Sequence, residues 1–239
     1  EEVGTVTYVD GEWIVTNGGI PLFVAVAQSG TNRISNSVNG IDWISADFNS
    51  NLFLSVTYGN GLFVAVGVNA IRTSIDGITW VSMVTPEANN WSSVTYGNNV
   101  FVAVSRNGTN REMTSTNGIL WTSRSASENN TWNSVVFANG LFVAVASDGT
   151  NRVMTSSDGI TWVSRTASEN TNWLSVTYGN GLFVAVSEFG TNRVMTSVDG
   201  ITWISRTASE ANQWQSITYG NGLFVAVSST DFTGAIQVM

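Results

Sequence analysis

The chain has 239 residues, 43% of them hydrophobic, carries a net charge of −8, and contains no Cys, His or Lys, so all nine basic residues are Arg. These absences exclude thiol and imidazole nucleophiles, disulfides, Schiff-base lysines and the usual zinc ligands, and neither a metal nor a cofactor is expected. The acidic balance argues against nucleic acid as a partner, and no apolar run is long enough to insert into a membrane.

In chain order, residues 1–9 come before a phrase that then recurs. The run Phe-Val-Ala-Val begins at Phe23, Phe63, Phe101, Phe142, Phe183 and Phe224, at intervals of 40, 38, 41, 41 and 41 residues. Ten residues ahead of each lies an aromatic: Trp13, Phe53, Trp91, Trp132, Trp173 and Trp214. A fixed period near forty marks a repeat architecture.

The copy from Trp132 shows the unit. Strand A, 132–138, is β-branched and aromatic and ends at Asn139-Gly140, a strong hairpin signal. Strand B, 141–146, is an unbroken apolar run, which implies cover on both faces. Strand C, 152–156, closes at Asp158-Gly159, and strand D spans 160–165. Four strands per forty residues describe one propeller blade. Six copies predict an all-β, six-bladed β-propeller forming a single domain over 1–239, with blades starting near residues 12, 52, 90, 131, 172 and 213. The last copy stops inside strand C at Met239, and residues 1–9 have the length of a missing strand. Closing the ring with 1–9 beside the last blade would remove both open edges. A second reading takes Thr5–Thr16 as an A–B hairpin, because TVTYVDGEWIVT matches SVTYGNGLFVAV; it ranks below the first.

The C–D turns read Ser74-Ile75-Asp76-Gly77-Ile78-Thr79-Trp80, Ser156-Ser157-Asp158-Gly159-Ile160-Thr161-Trp162 and Ser197-Val198-Asp199-Gly200-Ile201-Thr202-Trp203. This motif resembles the Asp-box of sialidase-like (BNR-repeat) propellers, S-x-D-x-G-x-T-W, one residue shorter. The resemblance covers nearly the whole chain. It implies the propeller fold and, in a non-catalytic branch, no activity. Across the copies the Asp position is Asn39, Asp76, Asn117, Asp158 and Asp199, so a charge is not required. A structural turn, with the oxygen accepting backbone N–H groups and the following Gly at positive φ, explains both residue types. One such oxygen per turn does not make a calcium site.

Other once-per-blade residues read as framework. The D-strand Trp (Trp43, Trp80, Trp121, Trp162, Trp203) are expected in the inter-blade core, and the A-strand Trp closer to a surface. Arg33, Arg72, Arg111, Arg152 and Arg193 at the start of strand C, with Arg124, Arg165 and Arg206 at the end of strand D, are expected to pair with Glu87, Glu128, Glu169 and Glu210.

The A–B and C–D turns share one face and are tight, whereas the B–C and D–A loops share the other and vary. Function favours such loops. The ligand-binding candidates are therefore Glu188, Phe189, Asp231 and Phe232, with Arg106, Asn107 and Asp148. The reading is a non-enzymatic binding or adhesion propeller, extracellular or on a particle surface, recognising glycans or another surface polymer, or a protein on such a surface. The alternative is a structural subunit of a fibre or particle that self-associates, with strand exchange as one route. A sialidase-like glycosidase ranks third: it needs a Tyr nucleophile and an asymmetric Arg cluster, whereas Tyr58, Tyr96, Tyr178 and Tyr219 recur at the A–B turn.

Overall fold

The computed structural model describes residues 5–9, 12–16, 23–47, 51–229 and 237–238, with side chains for 23–46 and 51–229. The described chain is all β-strand and loop. Four consecutive sheets have four strands each, in the order A-B-C-D, covering 53–83, 91–124, 132–165 and 173–206. Three-stranded sheets lie on either side, at 23–47 and 213–238. These are six blade-like antiparallel sheets, as the repeat predicts.

Strands A and B of the fourth blade run Trp132–Ala138 and Leu141–Ala146. Their connection takes Asn139 at φ 52° and Gly140 at φ 75°, the double left-handed turn that matches strand twist and that Asn-Gly favours. Strand D starts only at Val163, later than the expected Ile160, because the turn side chain holds the intervening backbone. Each A strand carries a bulge one residue after its aromatic: Trp132 pairs with Ala146, but Ser134 pairs with Val145. The bulge shifts register and directs the Ser hydroxyl to the next blade. Ser93 Oγ accepts Val135 N–H at 3.1 Å, Ser134 Oγ accepts Val176 N–H at 3.3 Å and Ser175 Oγ accepts Ile217 N–H at 3.2 Å.

The core lies between blades. Val64 and Val66 of the second blade pack on Trp91, Phe101 and Met113 of the third. Val143 and Val145 of the fourth pack in the same way on Trp173, Phe183 and Met195 of the fifth. A sheet apolar on both sides must be covered on both sides, and the next copy supplies that cover. The A-strand Tyr joins in: a Cβ on Gly59 would lie 2.2 Å from the Tyr96 ring, and one on Gly179 would lie 2.1 Å from Tyr219. Each Gly therefore makes room for the next blade's ring.

Two expectations change. Thr5–Val9 pairs with Glu12–Thr16, Val9 opposite Glu12 and Thr5 opposite Thr16, and not with the last blade, where Gln237–Val238 pairs with the B strand. The lower-ranked hairpin is what forms, consistent with the intervening Asp10-Gly11 dipeptide, so Trp13 does not sit on the first blade's A strand. Residues 1–4 and Met239 lie outside the described residues. The sheets form a consecutive series, and the blades at its two ends show faces that inner blades cover: Phe23 is 47% exposed while Phe101, Phe142 and Phe183 are fully buried, and Leu223 is 64% exposed where Val100 is buried and Leu62, Leu141 and Leu182 are half-buried.

Candidate functional site

In the C–D turns the Asp or Asn side chain binds its own turn backbone. Asp158 Oδ1 accepts the Ile160 and Thr161 N–H groups at 2.8 Å each, while Ser156 Oγ donates to it at 2.8 Å and accepts Gly159 N–H. Asn39 and Asn117 accept the same two backbone donors. Gly40, Gly77, Gly118, Gly159 and Gly200 all have φ between 69° and 76°. The bonds from Thr161 and Ile160 N–H pull the Asp158 pKa down to about 2, and those from Thr202 and Ile201 do the same for Asp199.

The B–C and D–A loops are laced together residue by residue. Glu128 accepts the Asn151 N–H at 3.2 Å and its side-chain amide at 2.6 Å. Asn151 Oδ1 in turn accepts Thr166 Oγ1–H at 3.3 Å. Glu87 with Asn110, and Glu169 with Asn192, repeat the arrangement. Burial opposes ionisation of Glu128, but the Asn151 side chain and backbone outweigh it and hold the pKa below the ordinary value. The recurrent Glu is thus bound by Asn, where Arg was expected. Arg111, Arg152 and Arg193 instead brace their own loops, each Nε donating to the Gly carbonyl three residues back at 3.2–3.3 Å.

Arg72 does not belong to that series. The B–C connection of its blade is shorter, so Arg72 pairs opposite Ala65 and is buried in strand C. Met113, Met154 and Met195 occupy that slot in the next three blades.

The aromatic expectation is reversed. Trp91, Trp132, Trp173 and Trp214 of strand A are fully buried; the indoles of Trp132, Trp173 and Trp214 also donate to the carbonyls of Glu128, Glu169 and Glu210 at 3.1–3.2 Å. Of the D-strand Trp, only Trp203 is buried; Trp80, Trp121 and Trp162 are half-exposed and Trp43 exposed. The bulge turns the A-strand indole inward, while strand D forms the outer edge of its blade.

Against this lacing the candidate ligand residues separate into two groups. Asn107 Oδ1 accepts Asn90 N–H at 2.7 Å, and Asp148 accepts the N–H and, at 2.7 Å, the hydroxyl of Thr131. Both brace the adjoining D–A loop. Arg106 Nε donates to Asn133 Oδ1 at 3.0 Å, and Asn133 Nδ2 donates to Trp173 O at 2.9 Å. These three candidates serve the scaffold.

Phe189 occupies the slot of Asn107 and Asp148 but has no side-chain acceptor. Thr171 instead donates to its carbonyl at 2.6 Å, and the ring is 47% exposed. With Arg193, Ala211, Asn212, Gln213 and Ser229 it lines a pocket of about 190 Å³ between the fifth and sixth blades. Glu188, beside it, is half-buried, and its carbonyl accepts from Arg193 at 3.3 Å. Asp231 and Phe232 lie outside the described residues. Asn212 and Gln213 were missed in the sequence; the available signal was the replacement of Thr131 and Asn172, just before the A-strand Trp, by Gln213.

Among the described residues no group of three acidic side chains could hold a metal ion. In the described residues no helix is long and apolar enough to cross a membrane. Tyr58, Tyr96, Tyr178 and Tyr219 pack as tilted pairs against the B-strand Phe, with ring centroids 4.6–4.8 Å apart.

No protein-family model matches the chain, the Asp-box family included, and no curated protein matches it. Solved structures do. A catalytically inactive virginiamycin B lyase from Staphylococcus aureus with quinupristin superposes with TM-score 0.72 at 12% identity, covering 94% of this chain and 85% of that one. A nidogen/laminin complex gives 0.65 at 11%, covering 90% and 88%. YCF48 from Cyanidioschyzon merolae gives 0.54 at 13%, covering 79% and 71%. At such identities the likeness concerns fold alone, and these neighbours are β-propellers. By fold, the chain is a β-propeller.

Proposed function

We propose that the chain is a non-enzymatic binding propeller of an extracellular or particle surface, and that it holds a saccharide unit of a surface polymer in the pocket at Phe189. The observation that carries this is the departure of one loop from its siblings. Where Asn107 and Asp148 brace a neighbouring loop, Phe189 is released to solvent beside a guanidinium and two side-chain amides. An exposed ring face suits the apolar face of a sugar, and Arg193, Asn212 and Gln213 suit its hydroxyls. Against catalysis stand the roles already taken: the recurrent Tyr, Arg and Glu residues maintain packing and loops. Two of the neighbours pair a propeller with a small molecule or with a protein, so the fold accommodates binding of either kind.

The test is a glycan array with the wild type and Phe189→Asp, which restores the side chain of the fourth blade. Binding by the wild type with loss in the variant is the expected result. Silence of the wild type across a broad panel, or equal binding by the variant, refutes the saccharide reading.

A second reading has one observation in its favour. Val64 of the second blade and Val143 of the fourth would meet a Cβ placed on Gly118 and Gly200 of the following blades, whereas Leu223 in the last blade is exposed. The two end blades thus each leave open a face that inner blades cover. They would meet by closure of the ring or by head-to-tail contact between copies, and light scattering separates the two.

A further inference from the structure

The four four-stranded blades are near copies, so residues that break the pattern together point to something the scaffold alone does not require. From the last residue of strand D onward, three blades carry Arg124-Ser125-Ala126-Ser127, Arg165-Thr166-Ala167-Ser168 and Arg206-Thr207-Ala208-Ser209. The second blade carries Met83-Val84-Thr85-Pro86. The facing turn on the third blade has Leu120 where Thr79, Thr161 and Thr202 stand elsewhere. Four polar positions have become apolar, and all four converge. Met83, Val84 and Pro86 with Ser82 form one wall, and Ile119, Leu120 and Trp121 form the other, of a groove of about 370 Å³ between the two blades.

The backbone has been adjusted to match. In three blades the hydroxyl directly after the Arg donates to the B–C loop Asn, as Ser125 does to Asn110, Thr166 to Asn151 and Thr207 to Asn192. In the second blade that donor is Thr85, to Asn69 at 3.1 Å, one residue later. The shift leaves Val84 facing outward, 85% exposed, with Leu120 opposite at 75%. Met83 and Trp121 continue the groove inward onto the core of Val66, Trp91 and Met113. Single apolar side chains are exposed at the turns of the other blades too, among them Ile78, Ile160 and Ile201, whereas here Val84 and Leu120 join a continuous apolar cleft, the kind of surface that marks a binding site.

We propose that this groove is a binding site for a small uncharged molecule whose recognised part is hydrocarbon, an aliphatic chain or an aromatic ring. The lining chemistry selects that occupant. The recurrent guanidinium is replaced by a thioether, so an anion has no partner here. The Trp121 indole N–H is committed to Gly118 O at 2.9 Å, and Ser82 is the one side-chain hydroxyl in the lining, so a sugar has too few partners. The volume suits one small molecule, within the usual range for such sites. The site is separate from the Phe189 pocket and independent of its ligand. Sequence reading missed it because each change, taken singly, is an ordinary apolar residue.

The test uses the full chain with N-phenyl-1-naphthylamine, a neutral dye that fluoresces in apolar surroundings. The variant Met83→Arg/Val84→Thr/Leu120→Thr places in the groove the residues the sibling blades carry, so its folding, checked by circular dichroism and melting, is preserved. The expected result is saturable binding of one dye per chain, weakened at least about tenfold in the triple variant, with Phe189→Asp unchanged. No saturable binding by the folded wild type, or equal affinity in the folded triple variant, overturns the proposal. Should the triple variant not fold, Leu120→Thr alone gives the same comparison, with unchanged affinity overturning it.

Discussion

Glu112 is a buried residue whose replacement should change stability in the favourable direction. It stands where strand C has Val153, Val194 and Ile71 in neighbouring blades, is fully buried, and neither carboxyl oxygen has a hydrogen-bond partner. Burial raises its pKa to about 9, against weaker opposition from the Trp162 indole and the positive charge of Arg124; Asp158 adds to the rise. The carboxyl is therefore protonated in the folded protein at pH 7 and ionised in the unfolded one. A folded-state pKa above the unfolded value means that the stability is fully present below about pH 4.5 and is lost as the pH rises toward 9. At about 1.4 kcal/mol per pH unit, the loss reaches roughly 3 kcal/mol by pH 7 and about 6 by pH 9. Glu112→Val removes the titrating group and fills the slot as its siblings do, so it should stabilise the fold by about 3 kcal/mol at pH 7 and by little at pH 4. Urea unfolding of both proteins from pH 4 to 9 measures the difference. Parallel stability curves, or a variant less stable at pH 8, would refute the reasoning.

Three further outcomes follow from the framework. Asp158→Ala should cost about 2 kcal/mol, because two backbone donors lose their acceptor, while Asp158→Asn should stay within about 0.5 kcal/mol, since Asn117 does the same work; denaturant melts distinguish the two. The depressed pKa values of Asp158 and Asp199 give stability that is present above the ordinary carboxylate pKa and lost as pH falls from about 4 through 2. Replacing both by Asn should flatten that acid limb in a pH series of thermal melts. Ser93→Ala should cost roughly 1–2 kcal/mol, because it leaves the buried Val135 N–H without its acceptor, and amide exchange at Val135 should accelerate.

Much of the blade was legible because its signals are local. Asn139-Gly140 set the A–B turn, and the apolar run Leu141–Ala146 set a strand covered on both faces. What was not legible depends on registers that one copy cannot show. The bulge between Trp132 and Ser134 carries no composition signal, yet it decides that the indole is buried and the Ser reaches the next blade. Arg72 was grouped with Arg111 and Arg152 because Arg recurs; the 38-residue spacing from Phe63 to Phe101 was the clue that a loop had shortened and moved it into the Met slot. The first hairpin follows the lower-ranked reading: the short last copy offers residues 1–9 a partner, but the match of Thr5–Thr16 to the A–B phrase predicts the nearer one, and that is the pairing observed. Hairpin pairing closes a short loop and so needs less ordering than a contact between chain ends.

The same logic separates scaffold from site. A residue repeated in step across blades answers a need that every blade has, and the structure gives each such residue a job: Glu128 holds a loop, Asp158 holds a turn, Ser134 holds the next blade. Function requires one place to differ. Glu112, Phe189 and the Met83–Leu120 groove are such places, and they differ in kind. Glu112 is fully buried, so its asymmetry bears on stability. Phe189 is released beside polar groups, and Val84 is released beside apolar ones, so two exposed departures in one array face two different chemistries. A scaffold of near-identical units can carry both, because each blade's departure is absorbed by its own loop and leaves the shared inter-blade packing intact.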